Sequence, residues 1–109
     1  MTDAPTVTRN DEAARYEIHV GETLAGFAEI RLRDGEVQFT HTEVDPAFQG
    51  KGLASILAGE ALADAAASGA TIVPYCAYIA SFLKRNEVAG ANVRWPQLPD
   101  DPTDATRQS

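Results

Sequence analysis

The residues best suited to chemistry lie in one run, Val44-Asp45-Pro46-Ala47-Phe48-Gln49-Gly50-Lys51-Gly52-Leu53-Ala54-Ser55. Ala and Leu dominate the next stretch of chain as far as Ser68, with Leu53, Ile56, Leu57, Ala61 and Ala65 recurring at helical spacing. A helix that opens behind a glycine loop leaves several backbone N–H groups without intrahelical acceptors. Its dipole adds partial positive charge at the same place. That combination binds a phosphate or pyrophosphate without a base or a metal. Gly50 and Gly52 remove side chains that would hinder close approach, Lys51 adds a point charge, and Ser55 offers a hydroxyl. The run is not a dinucleotide fingerprint, because the G-x-G-x-x-G spacing is missing, nor a P-loop, because no Gly-Lys-Ser/Thr closes it. Glycines also precede helices that bind nothing, so a plain turn is the competing reading.

Two further residues could do chemistry on a bound group. Cys76 is the single cysteine of the chain. Its thiolate could act as a nucleophile and hold a transferred group transiently, given a base to activate it; alternatively it fills apolar space. His41 could serve as that base, or as the base for an incoming amine, or simply be hydrogen-bonded within a strand. Glu43 is the substitute base or a solvated strand-end carboxylate. His19 reads as a surface residue. Tyr75, Tyr78 and Phe82 could line a ligand channel, although the i, i+4 spacing of Tyr78 and Phe82 also suits a core. Lys84, Arg85 and Asn86 end a helix, where basic side chains complement the C-terminal dipole. Trp95 reads as a cover for the edge of the core. One cysteine and two separated histidines make no metal-ligand set.

Positioning these residues requires strands before the loop and a strand after the helix. Tyr16, Ile18 and Val20 alternate with Arg15, Glu17 and His19, the period of a half-buried strand. Gly21-Glu22 turns into Leu24–Arg33, and Asp34-Gly35 is a hairpin signal. Val37, Phe39 and His41 then share one face of a third strand, with Gln38, Thr40 and Thr42 on the other. The helix runs from about Gly52 to Ser68, and Gly69 sits where a C-terminal glycine stops it. Thr71-Ile72-Val73 comes next as a buried strand, parallel to the third because a helix crosses between them. A second helix covers Ile79 to about Asn86, and Val88–Trp95 adds a short strand or covers the sheet. The fold class is mixed α/β, with an antiparallel meander continuing into a parallel pair through a crossover helix.

The ends of the chain carry other expectations. Residues 1–13 read as a disordered arm, 14–95 as the folded domain and 96–109 as a disordered acidic tail rich in proline. The formal net charge is −7 over 109 residues. Three acids against one arginine in each of the segments 1–12 and 98–109 leave −3 for the middle. That balance disfavours nucleic acid, which needs a basic face. It suits solubility, and is compatible with a cationic amine. No stretch approaches ~18 apolar residues and no apolar leader opens the chain, so membrane spanning and secretion are not expected, and the cytoplasm is the default location.

The segment Gln49-Gly50-Lys51-Gly52-Leu53-Ala54 resembles the Q/R-x-x-G-x-G/A motif of the GCN5-related N-acetyltransferases. The run from Glu43 to Ser55, the strand Thr71-Ile72-Val73-Pro74-Tyr75-Cys76 and the stretch Tyr78–Asn86 look like the minimal, YjdJ-type branch of that superfamily. The resemblance implies acetyl-CoA as co-substrate, an amine acceptor, and a monomer or weak homodimer. It implies CoA contacts at Val44, Gln49, Gly50, Lys51, Gly52, Leu53, Ala54 and Ser55, with Phe82, Arg85 and Asn86 reaching the rest of the cofactor and Cys76 and His41 doing the chemistry. Larger acetyltransferases carry helices between their first strands that help to form the acceptor site, and the connections here are too short for them. The alternative function is therefore a non-catalytic CoA-binding or protein-interaction module.

Overall fold

The computed structural model describes residues 4–96. The expected disordered acidic tail falls almost entirely outside those residues. Six strands form one mixed sheet in chain order: β1 (Pro5–Asn10), β2 (Arg15–Val20), β3 (Thr23–Arg33), β4 (Glu36–Val44), β5 (Thr71–Pro74) and β6 (Asn92–Val93). The first four are antiparallel, whereas β4–β5 and β5–β6 are parallel. Helix α1 (Leu53–Ala67) makes the crossover, and α2 (Ala77–Arg85) follows β5. The fold class is the mixed α/β arrangement that the periodicities predict.

The core lies between the sheet and α1. Leu53, Leu57, Ala58, Ala61, Leu62 and Ala65 recur on one stripe of α1 and pack onto Tyr16, Ile18, Ala28, Ile30, Val37 and Phe39. Three of these six residues are alanine and three are leucine. Ile56, expected on that stripe, is exposed; Leu62 takes the buried place. Helix α2 begins at Ala77, two residues earlier than expected, with Ile79 and Phe82 on its buried side.

The arm expected at residues 1–13 is corrected in part: Pro5–Asn10 is the edge strand β1, in register from Pro5↔Val20 to Asn10↔Arg15. Its sequence hides the strand because only Val7 reaches the core. Backbone pairing and β-branched Thr6, Val7 and Thr8 carry the rest. At the opposite edge β6 is tied down by Arg94, whose N–H donates to the Ile72 carbonyl at 2.9 Å. Its guanidinium grips the Glu36 carboxylate at 2.8 and 3.0 Å.

One irregularity decides where the site residues point. Between β3 and β4 the register passes from Ile30↔Phe39 to Glu29↔His41, so Thr40 is an extra residue in β4. Such a bulge inverts the facing of everything beyond it. Thr42 and Val44 therefore lie opposite Ala28 and Gly26 on the helix-covered face. His41 and Glu43 turn to the outer face, opposite Glu29 and Phe27. The uninterrupted alternation that put His41 with Phe39 fails at this residue.

Candidate functional site

Beyond Phe39↔Pro74, β4 and β5 part company. The chain leaves β5 through Tyr75 and Cys76, whose N–H groups both donate to the Phe39 carbonyl, at 3.0 and 2.8 Å. Thr40–Val44 thus keeps β3 on one side and has no strand on the other. The Asp45 N–H donates to the Ala25 carbonyl at 2.7 Å, which makes Ala25 and Asp45 a hydrogen-bonded pair. Antiparallel pairs alternate between bonded and non-bonded. At Thr42 and Val44 the backbone N–H and C=O therefore point away from β3, into the gap that β5 vacates.

A cleft of about 330 Å³ opens along this free edge. Thr42 and Val44 form its strand wall, Phe48 and Gln49 its outer lip, and Tyr78 of α2 the facing wall. Gly50, Gly52, Leu53, Ala54 and Ser55 close the end where α1 begins. The turn is built locally. Pro46–Phe48 is one turn of 3₁₀ helix, and the Asp45 carboxylate accepts the Ala47 N–H at 2.9 Å to cap it. Gly50 and Gly52 then take φ of 82° and 75°, left-handed conformations that favour glycine.

No side chain caps α1, and no acidic residue occupies its first turn. The first intrahelical bond runs from the Ile56 N–H to the Gly52 carbonyl. The N–H groups of Leu53, Ala54 and Ser55 have no acceptor within the helix and stand at the end of the cleft. The cleft thus joins an unpaired strand edge to an uncapped helix start. An extended chain carrying amides matches the first, and a phosphate matches the second.

A family model, GCN5-related N-acetyl-transferase, matches residues 15–92. The chain belongs to that family. Membership assigns it an acetyltransferase-type function in general terms. A search among curated proteins found no match.

Of the residues expected to bind the cofactor, Val44, Gln49, Gly50, Gly52, Leu53, Ala54 and Ser55 line the cleft of this family member together. Lys51 is exposed and does not line it. Phe82 does not face the cleft: it is 9% exposed in the core, with its ring against Gly59. Arg85 and Asn86 are exposed at the far end of α2, and the Asn86 side chain donates to the Phe82 carbonyl at 3.0 Å, closing the helix.

Cys76 and His41 do not form a pair. The Cys76 thiol donates to the Thr42 hydroxyl at 3.5 Å on the cleft side of β4. His41 Nε2 meets the Glu43 carboxylate at 3.1 Å on the outer side, with its ring 6.3 Å from that of Phe27. The bulge at Thr40 separates them.

Sequence reasoning missed Thr42, Phe48 and Gly26. A Cβ on Gly26 would stand 2.6 Å from the Glu43 carbonyl, so glycine there lets β3 lie close against the free end of β4. The signal was available, since a glycine inside a strand marks close backbone approach. Thr42 was hidden by the bulge. Among the described residues, no three of His, Cys, Asp and Glu gather as a metal site, and no helix is long and apolar enough to cross a membrane.

Proposed function

We propose that the protein transfers an acetyl group from acetyl-CoA to an amine. The observation that carries this reading is the meeting, in one cleft, of the unpaired β4 edge at Thr42 and Val44 with the uncapped start of α1. The pantetheine arm lies along β4 as an added strand, and its amides exchange hydrogen bonds with the N–H and C=O groups of Thr42 and Val44. The pyrophosphate receives the N–H groups of Leu53, Ala54 and Ser55. The nucleotide extends over the surface outside the cleft, within reach of Lys51 and, along α2, of Arg85 and Asn86.

In this orientation the thioester reaches the level of Thr40–Thr42, where β4 has no neighbour on the β5 side and the gap gives access from the outer face. The amine enters from the outer face. There His41, held by Glu43, accepts its proton as nitrogen attacks the acetyl carbon. The C–S bond breaks, the amide forms, and CoA leaves as the thiol after taking up a proton. Attack by the amine and removal of its proton thus occur on the side opposite the cofactor. The structural separation of His41 from Cys76 favours this direct route.

The contact of Cys76 with Thr42 favours a second reading, in which the thiol carries the acetyl group. Incubation with acetyl-CoA alone followed by intact mass spectrometry separates the routes. Direct transfer predicts no adduct, near-normal turnover in Cys76→Ala, and a ~10²–10⁴-fold loss of turnover in His41→Ala. A hydroxylamine-labile acetyl adduct that disappears in Cys76→Ala would replace it with the covalent route. Bound CoA with no turnover across a panel of amines would make the protein a non-catalytic CoA-binding module.

A further inference from the structure

Of the backbone groups that Thr42 and Val44 turn into the gap, one is already taken. The Gln49 side-chain N–H₂ donates to the Val44 carbonyl at 3.2 Å. The contact is set up by the turn. The Asp45 carboxylate holds the Ala47 N–H at 2.9 Å. The Phe48 N–H returns to the Asp45 carbonyl at 2.8 Å, and the Gln49 N–H to the Pro46 carbonyl at 3.3 Å. The Gln49 backbone is thereby fixed beside the strand end, and its side chain reaches back five residues. A primary carboxamide presents to Val44 the same donor that a peptide or pantetheine amide would present.

We infer that the Gln49 carboxamide is an internal stand-in for the ligand's amide, an intramolecular competitor for the strand edge of the cleft. The inference rests on the reading that the cleft takes the arm of CoA. Any arm that lies along β4 must displace Gln49 from the Val44 carbonyl. An arm with an N–H at that level restores the lost bond, because the carbonyl exchanges one donor for another and the released carboxamide returns to water. An arm without one leaves the carbonyl, inside a narrowed cleft, without its donor. The cleft therefore rejects plain alkyl thioesters of the same length and accepts amide-bearing ones. Gln49 lowers the affinity for every occupant of the strand edge and leaves the phosphate end untouched.

Calorimetry of the full chain with pantetheine, CoA and 3′,5′-ADP tests this, comparing wild type with Gln49→Ala. Pantetheine and CoA should bind the variant about 2- to 10-fold more tightly, the range set by one net hydrogen bond, while 3′,5′-ADP should bind both proteins equally. Weaker pantetheine binding would make Gln49 a direct ligand contact and overturn the inference. Equal affinities, or a parallel change for 3′,5′-ADP, would overturn it as well. Wild type that binds neither pantetheine nor CoA would sink the CoA reading itself. A measurement on the free protein stands apart from that outcome: NMR should show a scalar coupling from Gln49 Nε2 to the Val44 carbonyl carbon. Failure to observe that coupling in well-resolved spectra would refute the stand-in whatever the ligand does.

Discussion

The two halves of β4 meet opposite fates. Glu36–Phe39 lies between β3 and β5, and its inward side chains Val37 and Phe39 are core. Thr40–Val44 keeps the β3 neighbour and loses the other. A strand paired on both sides spends its polar backbone on the sheet, and mutating it costs stability. A strand paired on one side holds donors and acceptors in reserve, and mutating its surroundings costs binding. In this fold the candidate site is built on strand-edge groups that no neighbouring strand pairs, one of which, the Val44 carbonyl, is held by the Gln49 side chain.

The largest effect belongs to the paired half. Phe39→Ala empties a fully buried position stacked on Tyr16, with ring centroids 6.1 Å apart. It should destabilise the protein by about 3–5 kcal/mol in denaturant unfolding. Molecules that remain folded should bind acetyl-CoA with wild-type affinity. A loss of affinity at unchanged stability would erase the division between the halves.

Gly26→Ala tests the boundary. Its Cβ would meet the Glu43 carbonyl and the Val44 backbone, and neither is the end of a flexible side chain. A cost of about 1–3 kcal/mol is expected, as for overpacking elsewhere. Because the displaced residues belong to the free edge, acetyl-CoA affinity should fall with stability. Stability lost without affinity would show that the free half tolerates movement.

Gly52→Val acts on the unpaired side alone. No atom lies within 4 Å of the added Cβ, so the strain comes from φ +75°, which a β-branched residue rarely adopts. The loop should give way, with acetyl-CoA affinity falling by roughly 10-fold, about 1.4 kcal/mol, and the melting temperature moving little. Equal affinity by calorimetry would place the phosphate elsewhere.

The smallest effect lies away from the cleft. The Tyr16 hydroxyl donates to the Asp64 carboxylate at 2.7 Å, joining β2 to α1. Burial, reinforced by that carboxylate, raises the Tyr16 phenol above its ordinary value of 10.0. A raised value favours the protonated phenol in the folded state. Its contribution is complete below pH 10.0 and is lost as pH climbs towards the folded-state value. Tyr16→Phe should cost about 1 kcal/mol at neutral pH and show a shallower loss of stability in alkali than wild type. CoA affinity should not change. Identical alkaline profiles would mean that the hydrogen bond contributes nothing to folding.

Local pattern was enough for much of this. Alternation in Arg15–Val20, the Asp34-Gly35 turn, helical spacing after Gly52 and the glycine pair at Gly50 and Gly52 each act within a few residues of chain. Their consequences therefore survived into the fold. Strand β1 was not legible because an edge strand needs little apolar surface of its own; β2 supplies its partner. The facing of Phe82 was not legible because an aromatic on a short helix can face a channel or a core with equal ease; in the structure it packs in the core cluster, with Gly59 beside its ring.

From sequence alone come the order of elements from β2 to α2, the family motif and the glycine turn that opens α1, because short-range conformational preference determines all three. Tertiary structure alone decided the facing of β4. Whether Thr40 is accommodated as a bulge depends on how β3 pairs with β4, and that pairing joins residues with no local signal in common. One unpaired residue moves His41 to the outer face, brings Thr42 to Cys76 and aims two residues' backbone groups into an empty strand position. Side-chain alternation has a period of two, so a single insertion inverts every residue beyond it.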